Sequence, residues 1–394
     1  MPRSHINNTG DLKEAKLPRR DWILLPMLSM LTIFLLLGST ELIARRIFSA
    51  VTNTISACLV LNDQSTGVRG RPNTTCVYKR AEHQLVEYKF NSCGYRAGME
   101  CGPKPTGTYR IVLMGASYSL GLGVPRANSF AALLPAKLSQ LTGRKVEVYN
   151  EAMWAGAPHR TYLSFNDVLA ANPDMILWQV TPWDVLNVSA LGTSEPIPPD
   201  AVGKDTSLRS KVFAALKQLR GNVGATGFLI RHFIYESQSL YLRSVLMAGD
   251  DQSGYLKSEP SALWQSRLNQ FDFYAADMEE RARAAGVPFV VVLVPNRAQA
   301  AMISARDWPD GYDPYKLNEE LRSIITSHGG IYIDILPDLR NIPNSQQLYF
   351  PIDDHPDVGG HELIAELLAK ELTNGTVPAL KAVAQPQVVL KQGR

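Results

Sequence analysis

Apolar residues follow two alternating patterns over most of the chain. From residue 106 onward, short runs of aliphatic residues alternate with segments in which apolar residues recur every three or four positions. The first pattern is typical of buried strands and the second of amphipathic helices, so together they predict a parallel sheet with helices on both faces. The predicted strands are Tyr109–Met114, Lys145–Tyr149, Met175–Val180, Pro288–Val294 and Ile331–Ile335. The predicted helices are Ser129–Leu141, Thr161–Ala171, Asn269–Ala285, Tyr315–Ser327 and Gly360–Leu372.

The alternation is interrupted over about residues 185–264. Apolar positions there recur at helical spacing around Ser210–Leu219 and Phe228–Met247, which predicts a helical insertion. Such an insertion can pack on the sheet edge, form a lid over a site or make a second membrane contact. Charged residues such as Arg231 and Arg243 interrupt its apolar face and favour packing or a lid.

One uncharged segment, Trp22–Thr40, is long enough to cross most of a hydrocarbon core of about 30 Å. Five Lys or Arg residues precede it, and two, Arg45 and Arg46, stand in the twenty residues after it. This bias predicts a cytoplasmic tail over 1–21, a transmembrane signal-anchor helix over 22–44 and an extracytoplasmic remainder, periplasmic if the source is bacterial. A cleaved signal peptide stays open as an alternative, although Arg45 and Arg46 stand where small residues are expected.

All four cysteines lie between the predicted helix and residue 105. An even number of clustered cysteines in an oxidising compartment indicates two disulfides, with three possible pairings. A zinc site is the alternative, but the spacings of 18, 17 and 8 contain no C-x-x-C pair. Residues 45–105 are therefore predicted to form a disulfide-linked stalk. The cysteines are Cys58, Cys76, Cys93 and Cys101.

Composition and charge narrow the function classes. The 394 residues carry 40 Lys and Arg against 37 Asp and Glu, a net charge of +3, which is too small an excess to favour a nucleic-acid partner. The sequence contains no fixed-period repeat, which argues against a solenoid protein. No metal-ligand constellation, P-loop or dinucleotide motif is present, so we expect neither metal nor cofactor. Residues 106–375 form the predicted domain, and residues 376–394 a flexible tail.

Two separated motifs carry the chemistry. Ser117 lies in Gly-Ala-Ser-Tyr-Ser directly after the first strand, at the sheet edge where open parallel sheets bind their ligands. A serine hydroxyl needs a base to act as a nucleophile. His355 follows Asp353 near the end of the domain, and this pair supplies a base and the carboxylate that orients it.

These motifs resemble those of SGNH/GDSL hydrolases over residues 91–373. Gly115 to Val124 is similar to the first family block, and Asp353-x-His355-Pro356 to the last. Asn150 and Gly156 fit the second block, and the residues from Asn91 to Arg110 resemble the lead-in of membrane-anchored envelope members. The resemblance implies a flavodoxin-like doubly wound parallel sheet of five strands. It also implies catalysis by Ser117, His355 and Asp353, with the Ser117 and Gly156 N–H groups and Asn150 at the oxyanion or substrate.

The chain departs from the family pattern at two positions. Ala116 replaces the aspartate that normally precedes the serine, and Trp183 takes the place of the asparagine of the third block, a donor to the oxyanion. Thr181 or Asn187 can substitute for that donor. Arg297, after the fourth strand, can meet an anionic substrate or pair with a surface carboxylate.

Three functions fit these residues. The first is an ester hydrolase at the cell envelope that removes small acyl groups, such as acetyl, from a carbohydrate or other ester through an acyl-enzyme. The second is an O-acyltransferase acting on an envelope polysaccharide. The third is a catalytically impaired protein that binds a glycan or partner protein. The expected partners are the acylated substrate and, through the N-terminal helix, the lipid bilayer.

Overall fold

The computed structural model describes residues 18, 20–47, 55–63, 67–79, 82–154, 157–189 and 225–383. Its first helix, α1, spans Asp21–Ile47, and the side chains from Trp22 to Ser39 are all exposed. Within the described residues, its portion Asp21–Ile43 is the helix long and apolar enough to cross a membrane. Most of the predicted cytoplasmic tail lies outside these residues.

Two small antiparallel sheets follow α1. They consist of β1 (Leu59–Asp63) with β2 (Gly67–Gly70), and β3 (Thr75–Tyr78) with β4 (Val86–Lys89). Cys58 pairs with Cys76 and Cys93 with Cys101, which confirms the two predicted disulfides and selects one of the three pairings.

The segment predicted as a stalk packs against the α/β domain. Tyr88 and Phe90 are buried in an apolar cluster with Leu120 and Leu122, which follow the candidate nucleophile. The buried Arg96 guanidinium donates to the main-chain oxygens of residues 120, 121 and 124 at 2.7, 2.8 and 3.0 Å. The loop after Ser117 is therefore held by residues from before the domain.

Loss of the Cys58–Cys76 disulfide should destabilise the fold more than loss of Cys93–Cys101. The first closes a separation of 18 residues and the second one of 8. Chain entropy predicts a cost of about 2–4 kcal/mol for paired Cys→Ser changes at 58 and 76, and roughly 0.7 kcal/mol less for the shorter loop. Urea denaturation of both double variants measures these costs. A larger cost for the shorter loop would contradict the chain-entropy account.

The central sheet has five parallel strands in the order β6-β5-β7-β8-β9. Every residue of β5, β7 and β8 is buried, as expected where helices cover both faces. This arrangement confirms the predicted doubly wound parallel sheet, in the flavodoxin-like order. The strands are β5 (Thr108–Met114), β6 (Lys145–Asn150), β7 (Met175–Val180), β8 (Phe289–Leu293) and β9 (Ile331–Ile333).

Most helices lie close to their predicted bounds. Thr161–Ala171, however, is divided into α4 and α5 at Ser164, and α10 begins before Asn269 because Ser261 accepts a hydrogen bond from the N–H of Trp264. The helices after β4 are α2 (Ser117–Leu120), α3 (Phe130–Thr142), α4 (Pro158–Leu163), α5 (Phe165–Ala170), α6 (Pro182–Leu186), α7 (Ala225–Glu236), α8 (Gln238–Leu246), α9 (Asp250–Ser253), α10 (Ala262–Ala284), α11 (Arg297–Ala305), α12 (Lys316–Ser327), α13 (Leu336–Leu339) and α14 (Val358–Thr373).

The insertion contributes α7, α8 and α9 to the described structure. Residues 190–224, which include the predicted helix around Ser210–Leu219, lie outside it. Part of the predicted flexible tail instead packs on the domain, because Val377 and Leu380 are buried apolar side chains and the N–H of Val383 donates to the oxygen of Leu141. Residues 384–394 lie outside the described residues.

His361 of α14 should make the folded protein less stable as the pH is lowered. It is fully buried, its Nδ1 accepts the N–H of Phe130 at 3.3 Å, and burial lowers its pKa to about 3. In the unfolded chain His361 takes up a proton at about pH 6.5, whereas in the native state it does not. The stability that the neutral imidazole contributes is therefore present above that pH and is lost progressively below it. The expected slope is up to about 1.4 kcal/mol per pH unit between the two pKa values.

A His361→Asn variant keeps an acceptor near the Nδ1 position but does not titrate. Since buried carboxyls with raised pKa act in the opposite direction in both proteins, the comparison isolates His361. Urea denaturation at several pH values from about 7 to 4.5 should show the variant losing less stability than the wild type on acidification. Parallel curves would mean that His361 titrates equally in both states.

Candidate active site

The turn after β5 requires glycine at position 115. A Cβ there would lie 2.6 Å from Oγ of Ser119 and 2.8 Å from the main-chain oxygen of Gln179, and its φ is +151°. This turn places Ser117 at the first position of α2, at the carboxyl edge of the sheet. The Asn150 amide donates to the Ser119 main-chain oxygen at 2.7 Å. Asn150, predicted at the oxyanion or substrate, therefore supports the serine turn.

A tight loop before α14, residues 350–357, is here named the acid–base loop. The N–H of Phe350 donates to the oxygen of His355 at 2.9 Å, and Asp354 has a φ of +59°. The Tyr118 hydroxyl donates to the main-chain oxygen of Asp354 at 2.5 Å. Because Tyr118 follows Ser117 directly, this bond joins the loop to the serine turn.

The structure brings the three predicted catalytic side chains together. Nε2 of His355 lies 2.8 Å from Oγ of Ser117. Its Nδ1 lies 2.8 Å from Oδ2 of Asp353 and 3.1 Å from the main-chain oxygen of the same residue. The hydroxyl, imidazole and carboxylate thus form one continuous chain of short contacts, the arrangement that activates a serine.

Two residues that the sequence does not single out contact Asp353, at one end of this series of contacts. Nε2 of His83 lies 2.7 Å from Oδ2 of Asp353. The Glu82 carboxylate accepts the N–H groups of Ile352 at 3.0 Å and of Asp353 at 2.8 Å. A lone Glu-His pair in a predicted stalk carries no recognisable motif, so its role becomes visible only in three dimensions.

The insertion also contacts the acid–base loop. Nδ1 of His232, in α7, lies 3.0 Å from Oε1 of Glu82. The hydroxyl of Tyr241, in α8, donates to Oδ1 of Asp354 at 3.0 Å. Desolvation raises the pKa of Asp354 to about 7.

Arg297 is a brace rather than a free cation. Its guanidinium is buried, lies 3.9 Å from the centre of the Tyr241 ring and donates to the main-chain oxygens of Tyr235, Gln346 and Pro351. All three nitrogens of the group are therefore engaged by the protein. The prediction that Arg297 meets an anionic substrate is corrected, because these contacts tie the insertion to the acid–base loop.

Thr181 is engaged in a helix cap. Its hydroxyl donates to Oδ2 of Asp184 at 2.7 Å, and the carboxylate also accepts the Thr181 N–H at 2.6 Å. Burial raises the pKa of Asp184 to about 7. Since the hydroxyl hydrogen is used within this capping box, Thr181 does not supply the predicted substitute donor to an oxyanion. Gly156 lies outside the described residues, and the N–H of Ser117 at the start of α2 stays a predicted donor.

Ser117 and His355 line an open cleft of about 530 Å³. The indoles of Trp154 and Trp183 line it, together with His159. Nδ1 of His159 lies 3.3 Å from Oγ of Ser189, and burial lowers the pKa of His159. The cleft therefore offers flat apolar surfaces and the His159 imidazole in the same cavity as Ser117.

No protein-family model and no curated protein matches the sequence. Three crystal structures illustrate the matches among solved structures. TesA is 13% identical, with a TM-score of 0.36 over 67% of this chain and 98% of TesA. A catalytic mutant of Axe2, an acetylxylan esterase from Geobacillus stearothermophilus, is 10% identical, with a TM-score of 0.37 over 67% of this chain and 94% of Axe2. The lipase/acylhydrolase from Enterococcus faecalis is 13% identical, with a TM-score of 0.36 over 67% of this chain and 95% of that protein.

Proposed function

We propose that this protein is a serine ester hydrolase of the SGNH/GDSL type. The observation that carries the proposal is the Ser117, His355 and Asp353 contact chain, with both links at 2.8 Å and its serine end open to a cleft. Burying a carboxylate beside an imidazole and a hydroxyl is costly unless the groups are paired, and such pairing is what a serine nucleophile requires.

The reaction follows from the contacts. Oγ of Ser117 attacks the ester carbonyl carbon while its proton passes to Nε2 of His355, and the carboxylate of Asp353 stabilises the resulting imidazolium. The Ser117 N–H donates to the carbonyl oxygen as that oxygen becomes negative. His355 then protonates the departing alkoxide, which leaves an acyl-serine. Water attacks the acyl carbon and gives its proton to His355. His355 then passes that proton to the departing Oγ of Ser117, which releases the carboxylic acid and restores the free serine.

The substrate class follows from the cleft and the rest of the chain. Trp154 and Trp183 provide surfaces on which a sugar ring can stack beside Ser117. Two disulfides suit an oxidising compartment, and α1 suits a single anchor with the domain outside the cytoplasm. An O-acylated envelope carbohydrate with a small acyl group, such as acetyl, is therefore the proposed substrate.

Labelling by a fluorophosphonate tests the proposal. The full chain in detergent should react covalently, and mass spectrometry of its peptides should place the adduct on Ser117. Ser119, two residues away and hydrogen-bonded to Gln179 at 2.6 Å, is the internal control that should stay unlabelled. The same preparation should hydrolyse short aryl acetates, and prior labelling should abolish that hydrolysis. A chain that neither labels nor hydrolyses contradicts the proposal and favours a binding protein.

A further inference from the structure

Residues 82 and 83 reach the acid–base loop from outside the α/β domain. They lie between β3 and β4, in the disulfide-linked segment. Both side chains are almost completely buried: 3% of the Glu82 side chain and 1% of the His83 side chain are exposed. A buried Glu-His pair that faces a reactive loop calls for a physical explanation, because neither residue type is buried without partners.

The position of His83 is tightly constrained. Its ring packs on Phe350, with ring centres 4.2 Å apart. A Cβ at Gly123 would lie 2.7 Å from Nδ1 of His83, so only glycine fits there, and its φ of +89° also favours glycine. This packing leaves Nε2 at 2.7 Å from Oδ2 of Asp353, the same oxygen that lies 2.8 Å from His355.

Glu82 constrains the main chain of the same loop. Its two carboxylate oxygens accept the N–H groups of Ile352 and Asp353, which are consecutive residues. Two charge-assisted hydrogen bonds to adjacent amides fix the direction in which the Asp353 side chain leaves the backbone. Glu82 thus acts on the backbone of Asp353, and His83 on its carboxylate.

We propose that His83 is a positioning residue for the catalytic carboxylate. In this inference, which rests on the proposed function, the His83 imidazole, with Nε2 at 2.7 Å from Oδ2 of Asp353, holds that oxygen at 2.8 Å from Nδ1 of His355. Glu82 holds the main chain from which the carboxylate projects. His83 does not touch the substrate, so it acts on turnover through Asp353 and His355.

Paired amide substitutions test the role of the Nε2 contact. In His83→Gln the amide nitrogen occupies the Nε2 position and reaches Asp353, whereas in His83→Asn it is too short. We expect His83→Asn to lower kcat for aryl acetate hydrolysis about tenfold to a hundredfold, by analogy with the loss of an outer-shell partner that orients a metal-binding side chain. KM should not change, and His83→Gln should recover most of the rate. Fluorophosphonate labelling should slow in parallel.

The outcomes separate this inference from the proposed function. Equal kcat in His83→Asn and the wild type, or equal loss in the Asn and Gln variants, would overturn the positioning role while labelling of the wild type still supports a serine hydrolase. A wild-type chain that fails to label overturns both. Thermal unfolding of the two variants identifies any loss that is due to unfolding.

A second inference comes from a different surface, the outer face of α7. Ile230, Phe233 and Ile234 are 52%, 67% and 41% exposed and lie three and four positions apart, so they form one apolar stripe. The opposite face of α7 carries His232, which pairs with Glu82. The helix therefore packs on the domain through Tyr235 and His232 and leaves an apolar stripe exposed on its outer face, where a surface helix in water normally carries polar residues.

The stripe adjoins the candidate membrane helix. Helix α7 packs against α1, and Thr40 and Glu41 of α1 are half-buried, whereas the side chains from Trp22 to Ser39 are exposed. The contact thus lies at the end of the uncharged part of α1. If α1 spans a bilayer, this position is the boundary between hydrocarbon and water.

The geometry points to the lipid bilayer as the occupant of the α7 stripe. An apolar helix face at that boundary is what an interfacial helix presents to lipid. Because α7 also contacts Glu82, the acid–base loop would be held close to the membrane surface, where an acylated envelope carbohydrate can reach the cleft. This inference rests on the proposed anchoring of α1.

Site-directed spin labelling tests the contact. The four native cysteines are paired, so an introduced cysteine is a unique thiol. Labels at Phe233→Cys, Phe273→Cys and Leu31→Cys are compared in the full chain in phosphatidylcholine vesicles, by collision with oxygen and with a water-soluble nickel chelate. Phe273, 61% exposed on α10, is the matched control. We expect positions 233 and 31 to be shielded from nickel and position 273 to be accessible.

A label at 233 that is as accessible to nickel as the one at 273, with 31 shielded, would overturn the α7 contact and leave the anchor in place. Nickel access at position 31 as well would overturn the anchor and this inference together.

Discussion

Replacing Ser117 by alanine should lower kcat/KM for aryl acetate hydrolysis by about 10⁵–10⁶-fold. The expected loss is this large because Oγ of Ser117 is the atom that bonds to the acyl group. Without it, Nε2 of His355, which lies 2.8 Å from that oxygen in the wild type, has no hydroxyl from which to take a proton. Residual activity should reflect binding alone. Initial rates of acetate release and the extent of fluorophosphonate labelling measure the effect.

Ser119→Ala is the matched control for this change. Both serines lie in α2, but Ser119 is fully buried and donates to Oε1 of Gln179 at 2.6 Å, so it does not reach the cleft. Its removal should reduce stability by about 1 kcal/mol and leave turnover largely intact. Equal activity in Ser117→Ala and the wild type would show that the contact chain does not catalyse the reaction.

Replacing Asp353 by asparagine should lower kcat by about 10³–10⁴-fold with little change in KM. An amide has no negative charge to stabilise the imidazolium that forms on His355. Its NH₂ group can also turn toward the two imidazoles that now lie within 2.8 Å of Oδ2, and both imidazoles would then lose their acceptor. Steady-state kinetics on purified variants measure the two parameters separately.

Asp357→Asn is the corresponding control in the same loop. Asp357 caps α14 by accepting the N–H of Gly360 at 2.8 Å, and asparagine caps helices almost as well as aspartate. Turnover should therefore stay close to that of the wild type. Similar losses in Asp353→Asn and Asp357→Asn would indicate a general effect of charge or loop stability instead of a specific role for Asp353.

The sheet and the three central residues could be predicted because their signals are local. Each strand is a short apolar run that ends near a Gly, Asn or Pro; Ser117 lies just after the first of these strands, and His355 lies just before the last helix. The rule that ligands lie at the carboxyl edge of a parallel sheet then brings distant segments together without knowledge of their contacts. For this reason the pairing of residues 117 and 355 was accessible from sequence.

The supporting contacts could not be predicted because they depend on packing between distant segments. His83 and Glu82 act on residues about 270 positions away, and neither belongs to a periodic element or a motif. Arg297 and Thr181 stand at the sheet edge, where substrate contacts are expected, yet each is engaged by the protein itself. Position along a strand indicates proximity to a site, but not whether a side chain faces the ligand or the scaffold.

The packing of Arg96 against the loop after Ser117 affects where the chain can be cut for soluble expression. A fragment that starts at residue 106, the first residue of the predicted domain, would lack the guanidinium that binds the oxygens of residues 120, 121 and 124, and would lack His83. Leu120 and Leu122 would lose their apolar cover. A useful soluble fragment therefore begins before Cys58 and is expressed where both disulfides can form, so that the segment ahead of the sheet is retained.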